Sequence, residues 1–344
     1  MTATFLDLVD LASERLGAAV VAANDEFFGS KDNLIKAEAP IWREGEYTDR
    51  GKWMDGWETR RRREAGHDWC IVRLGVAGLV RGVDVDTSHF KGNHPESCAI
   101  EVCDLPGMAT GDELARAGWK EVLAPTPLAG DSHNQLAVDG APKATHLRLR
   151  IYPDGGVARL RVYGDVVADW ARLGRRSEVD LAAVEHGGLV VACSDMLFGS
   201  CGHLIMPGDA WNMGDGWETR RRRGPGHDWA IIRLGAPGIL LRVEVDTRHF
   251  KGNAPGGCSL ETCSLPPSQD GAPLPGRSPT GWDAQAIVEW QELLPLTPLQ
   301  PDARHMFEDQ LKAIDEVTHV RFNIFPDGGV GRLRLFGRPC QSTI

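Results

Sequence analysis

Apolar and polar residues alternate along this chain in short bursts punctuated by glycine and proline. Val83-Asp84-Val85-Asp86-Thr87 puts its valines on one face and its acids on the other, the period of a half-buried strand. Residues 67–75, His67-Asp68-Trp69 through Leu74, are rich in β-branched and aromatic side chains and predict a strand stopped at Gly75. Ile100-Glu101-Val102-Cys103 predicts another. Residues 145–151 and 158–163 alternate cleanly, and Asp154-Gly155-Gly156 between them predicts a hairpin-like turn. Helical runs are few.

Each of these segments returns, as residues 227–235, 243–247, 260–263, 318–324 and 332–336. The strongest repeat is Asp55-Gly56-Trp57-Glu58-Thr59-Arg60-Arg61-Arg62-Arg63, which recurs residue for residue as 215–223. Residues 9–30 likewise match 179–200, pairing Asp25 with Asp195. Between these two matches the first copy carries ten more residues, in a stretch holding Lys36, Glu38, Trp42, Arg43, Glu44 and Tyr47. The second copy has a Pro/Gly/Ser-rich insertion at 266–279. Many short strands and frequent turns predict an all-β chain of two tandem repeated sandwich domains. The boundaries fall at 1–164 and 179–344, with 165–178 as linker.

Composition narrows the function. The 344 residues carry 38 basic and 48 acidic side chains, a net charge of −10. A protein that reads nucleic acid or a membrane surface through its field is basic, so neither partner is expected. The N-terminal stretch mixes Asp7, Asp10, Glu14 and Arg15 with its apolar residues and is not a targeting peptide; the expected location is cytoplasmic. The eight cysteines include matched pairs, Cys98 with Cys258 and Cys103 with Cys263, at a spacing that does not suit zinc. They are expected to be reduced and to pack the core. No histidine pair has ligand spacing, so neither metal nor cofactor is expected.

The residues 32–36 (Asp-Asn-Leu-Ile-Lys), Pro40-Ile41-Trp42, 51–60, His67-Asp68-Trp69 and His89-Phe90-Lys91-Gly92-Asn93 resemble the allantoicase family over nearly the whole chain. The resemblance implies two jelly-roll β-sandwiches of the galactose-binding or discoidin-like type. It also implies hydrolysis of allantoate to (S)-ureidoglycolate and urea in allantoin (purine) degradation. Self-association into a homo-oligomer is an expectation from the family alone. The competing reading is a non-catalytic small-ligand or carbohydrate-binding double sandwich.

A site for allantoate needs a cation for the carboxylate, amide-like partners for the two ureido arms, and an acid and base to release urea and activate water. Arg60, Arg73, Lys36, Lys91 and Asn93 are the candidates for binding, and Asp55, Glu58, Asp86 and His89 for catalysis. In an extended segment His89, Lys91 and Asn93 would share a face, whereas His67 and Asp68 would point apart. Trp57 and Trp69 read as anchors, and Glu101 and Glu261 as strand-surface residues. The second copy offers Asp215, Glu218, Arg220, Asp246, His249, Lys251 and Asn253. The richer polar insertion favours the first copy if only one is active.

Overall fold

The computed structural model describes residues 4–105, 107–173, 178–265 and 289–340. The insertion at 266–279 and linker residues 174–177 lie outside them. Contacts divide the chain into two units, Met1–Val167 and Ala168–Ile344. The first contains β1 (Val9–Asp10), β2 (Ala19–Ala23), β3 (Tyr47–Thr48), β4 (Gly51–Lys52), β5 (Trp57–Glu58), β6 (Asp68–Asp86), β7 (Ser97–Cys103), β8 (Lys120–Pro127), β9 (His133–Ala137), β10 (Lys143–Tyr152), β11 (Gly156–Val157) and β12 (Arg159–Val166). Helix among the described residues is confined to Gly111–Arg116, Trp170–Leu173 and short 3-10 turns, none long and apolar enough to cross a membrane.

Strand β6 organises the unit. It runs unbroken for 19 residues. Its first half pairs with β2 and β10, and β10 continues to β7 and β8. Its second half pairs with β12 and β9, and β12 continues to β1. The two halves thus belong to two facing layers. Cys70, Val72, Leu147, Leu149, Ile100 and Val102 of one layer and Val83, Val85, Leu160 and Val162 of the other form a single buried core. Each such aliphatic side chain contributes about 1.5–3 kcal/mol relative to exposure. Trp57 is fully buried in the same core, and its indole N–H donates to the Asp25 carbonyl at 2.7 Å. The second unit repeats the plan around Asp228–Asp246, with its own buried Trp217.

Three sequence expectations need correction. Glu101 is not a strand-surface residue but is buried and paired with Arg148 and Arg150. Strand β6 does not stop at Gly75. A Cβ on Gly75 would lie 2.6 Å from the Leu16 side chain, and one on Gly78 would lie 2.7 Å from Leu11 and from the Asp165 carbonyl. The glycines let neighbouring chain close on β6 where it passes between layers, so here they permit continuity rather than end a strand. Nor do β10 and β12 form a hairpin. They pair with opposite halves of β6, and the Asp154-Gly155-Gly156 segment carries the chain between layers. On the way it forms β11, which pairs with β5.

That crossing is tight: a Cβ on Gly156 would fall 2.0 Å from the buried Phe90 ring. Gly156→Ala should therefore cost about 1–3 kcal/mol, as overpacking does, and lower the urea midpoint. Gly92→Ala, whose added Cβ meets nothing within 4 Å, should stay within about 0.5 kcal/mol of wild type. Equal losses would contradict this packing.

Candidate active site

The string 55–63 enters the first unit through β5, and its side chains go to different places. Asp55 faces inward. Arg159, 2% exposed, donates to its carboxylate at 2.7 Å and to the backbone carbonyls of Asp55, Ala158 and Glu38. The Ile41 N–H reaches the same carboxylate at 3.0 Å and Lys36 lies 3.5 Å away. Burial pushes the Asp55 carboxyl up, but the Arg159 bond, the Ile41 N–H and the charges of Arg159 and Lys36 outweigh it and leave the pKa lowered. Asp215 and Arg332 repeat the pair at 2.8 Å. The alternation that made β12 recognisable marks Arg159 as a strand-surface arginine; no local signal shows that the outer face of its layer is covered by the chain from Lys36 to Ile41.

Glu58 is pinned by backbone pairing on both sides, to Gly29 and to Gly156. Its half-buried carboxyl accepts from the Asn93 side chain at 2.7 Å. Burial raises its pKa, and the Asn93 bond offsets this only in part. Glu218 and Asn253 make the same contact at 2.6 Å. Arg60 instead pairs with Asp25 at 2.6 Å beside the Phe27 ring, and Arg62 with the buried Asp68 at 2.7 Å.

His89, Lys91 and Asn93 do not share a face. His89 has φ 71°, a left-handed conformation that turns the chain. Its N–H donates to Asp131, its ring Nε2 lies 3.3 Å from the Pro40 carbonyl, and its ring packs on Trp42. Lys91 pairs with Asp131 and Asn93 with Glu58. His249 has the same left-handed backbone and a contact to Ala210, and Lys251 pairs with Asp302. Asp86 is buried at 2% exposure and caps this turn through the Ser88 N–H. Arg73 lies apart from this group, donating to the Gly17 carbonyl. His67 packs at a tilt against Tyr152 while Asp68 accepts from Arg62 and Asn24, so the two form no dyad.

The structure thus brings Lys36, Asp55 and His89 to residues 36–42, and separately joins Glu58 to Asn93. Lys52, not singled out from sequence, stands 4.0 Å above the Trp42 ring, which packs on His89. In the second unit Met206 occupies the place of Lys36, and the β3–β4 hairpin that carries Lys52 falls among the ten residues missing there. Asp246 is neutralised by Arg248 at 2.6 Å; Ser88 takes that place in the first unit. Among the described residues, no group of three or more His, Cys, Asp or Glu side chains could hold a metal ion.

The family model described as the allantoicase repeat matches residues 9–167 and again 179–340. A probable allantoicase of Pseudomonas aeruginosa (strain LESB58) is 50% identical over 98% of both chains. One from Photobacterium profundum is 48% identical over 97% of both. The crystal structure of allantoicase from Saccharomyces cerevisiae, 36% identical, superposes with a TM-score of 0.77 over 96% of this chain and 92% of that one.

The Asp55–Arg159 pair makes a testable demand on stability. Arg159→Met leaves a buried carboxylate without its cation and should cost about 3–5 kcal/mol in chemical denaturation. A carboxyl with a lowered folded pKa stabilises fully above its unfolded value, near ~4, and loses this as pH falls through the folded value. The stability gap between wild type and Asp55→Asn should therefore narrow on acidification. A gap independent of pH contradicts the assignment.

Proposed function

The chain belongs to the allantoicase family, hydrolases that convert allantoate to ureidoglycolate and urea, and we propose that its first unit performs this reaction with Glu58 as the proton-transfer group. The observation that carries the placement is the half-buried Glu58 carboxyl, fixed between Gly29 and Gly156 and accepting from Asn93 at 2.7 Å; burial raises its pKa. Asp55 and Asp86, by contrast, are buried under fixed donors. Of the four acid–base candidates, His89 serves to fix residues 36–42 through Pro40 and Trp42. Glu58 remains, partly accessible and with its pKa raised by burial.

The chemistry asks little of the protein beyond a proton and an anion site. To the substrate carboxylate we assign Lys36, which lies 3.5 Å from Asp55, and Lys52, over the Trp42 ring; the Asn93 amide donates to Glu58. Protonated Glu58 gives its proton to one ureido nitrogen. The bond from that nitrogen to the central carbon breaks, with its electron pair leaving on urea. The remaining nitrogen's lone pair forms an acyliminium at the central carbon. The Glu58 carboxylate then removes a proton from water as its oxygen bonds to that carbon. The products are urea and ureidoglycolate, and Glu58 is protonated again. One group acting as acid and then base suits a pKa moved toward the working pH.

Two measurements test this reading. The acid form of Glu58 is required, so kcat/KM should fall as pH rises through its pKa. The Asn93 donor lowers that pKa, so Asn93→Ala should move the falling limb to higher pH; an unmoved limb removes Glu58 from the role. Lys36→Met, which installs the second unit's residue, should raise KM for allantoate about tenfold or more, the order of one charge-assisted contact. Urea release with unchanged KM would exclude Lys36 from the carboxylate site.

A further inference from the structure

The arginine string does something else in the second unit. Arg220 to Arg223, with Ser194, Asp195 and Asp228, line a cavity of about 340 Å³. Two of the four cations are committed: Arg220 pairs with Asp195 at 2.9 Å and Arg222 with Asp228. These pairs build the wall. Arg221 and Arg223 are exposed and have no ion-pair partner among the described residues. The Arg222 Nε is buried with no hydrogen-bond partner, as is the Arg62 Nε of the first unit, so this unfilled donor belongs to the string itself. Asp327 accepts from the Arg222 backbone N–H, as Asp154 does from that of Arg62, so this acid is common to both units.

The duplication shows what changed. In the first unit Asn24 occupies the place of Ser194, its amide filling the space beside Asp68 at 2.7 Å. Ser194 makes the equivalent contact to Asp228 with a shorter side chain. Glu64 follows the first string, and Gly224 the second. The second copy thus has one acid fewer and a shorter side chain beside an unchanged row of four guanidinium groups. Planar guanidinium forks in a recess with surplus positive charge suit a small oxyanion.

We propose that this cavity is a binding site for a small oxyanion, a carboxylate or phosphate, separate from the Glu58 site of the first unit. It requires no catalysis and stands whether or not Glu58 acts as proposed. Occupancy would couple the anion level of the surroundings to the second unit's stability, because anything that binds only the folded state stabilises it.

Isothermal titration calorimetry at fixed ionic strength in chloride tests the site, with glycolate and inorganic phosphate titrated separately into the full chain. The expected result is saturable one-to-one binding of at least one probe. It should weaken tenfold or more in Arg221→Ala/Arg223→Ala and in Ser194→Asn/Gly224→Glu, and be retained in Arg61→Ala/Arg63→Ala. Glycolate alone binding assigns the site to carboxylates, and phosphate alone to phosphate. All these side chains are exposed or take the first unit's residue, and an unchanged thermal melt without anion verifies folding. Turnover of allantoate without added anion should be unaffected by Arg221→Ala/Arg223→Ala. Absence of saturable binding to wild type, or equal binding in Arg221→Ala/Arg223→Ala, overturns the proposal.

Discussion

The buried pair between Arg159 and Asp55 is the interaction the rest of the first unit depends on. Neither charge could stay buried alone, since removing an ion from water costs several kcal/mol even after relaxation. The arginine is therefore satisfied by three backbone carbonyls besides the carboxylate, and the carboxylate by a backbone N–H besides the arginine. Those bonds tie three separated pieces of chain together: the entry to β5, the start of β12, and the segment near Glu38 and Ile41. With Asp55 fixed, Gly56 and Trp57 follow into the core, and Glu58 emerges between Gly29 and Gly156 with its carboxyl toward Asn93. Asp215, Arg332 and Glu218 repeat the arrangement, so this is a folding requirement used twice.

A shared frame lets small differences set the chemistry. The same nine residues sit in both units, yet their surroundings diverge. The first unit adds Lys36 and the hairpin that brings Lys52 over Trp42. The second replaces Lys36 with Met206 and meets Asp246 with an arginine. It also carries Ser194 and Gly224 where the first has Asn24 and Glu64, beside the recess lined by its arginines. Retained identity in the string reports the shared fold, and on our proposal the neighbouring substitutions decide in which unit Glu58 or Glu218 is used.

Much of the fold is legible in the sequence because strand alternation is a local property. The repeated strands, the duplication and the anchoring role of Trp57 all follow from spacing and residue type. What stays hidden depends on partners distant in the chain. Arg159 alternates like a surface residue, and only the folding of residues 36–41 over its layer buries it. Gly75 reads as a stop until Leu16 is seen against it. Asp154-Gly155-Gly156 has the composition of a hairpin turn, but its flanking strands pair with different halves of β6. Spacing alone places His89 on an extended face, and its left-handed backbone, held by Asp131 more than forty residues away, undoes that register. The family resemblance named the substrate, which no spacing argument could have supplied. Separating the candidate acids required knowing which carboxylates are already occupied.

The central claim is that one string, used twice for folding, does chemistry only in the first unit. Urea release from allantoate by Glu58→Gln and by Glu218→Gln, each carrying a single isosteric change, tests it most directly. The account predicts a loss of about 10²–10⁴-fold in turnover for Glu58→Gln, the range of a general acid–base contribution, and near wild-type turnover for Glu218→Gln. Equal losses in both, or turnover retained in Glu58→Gln, would contradict it.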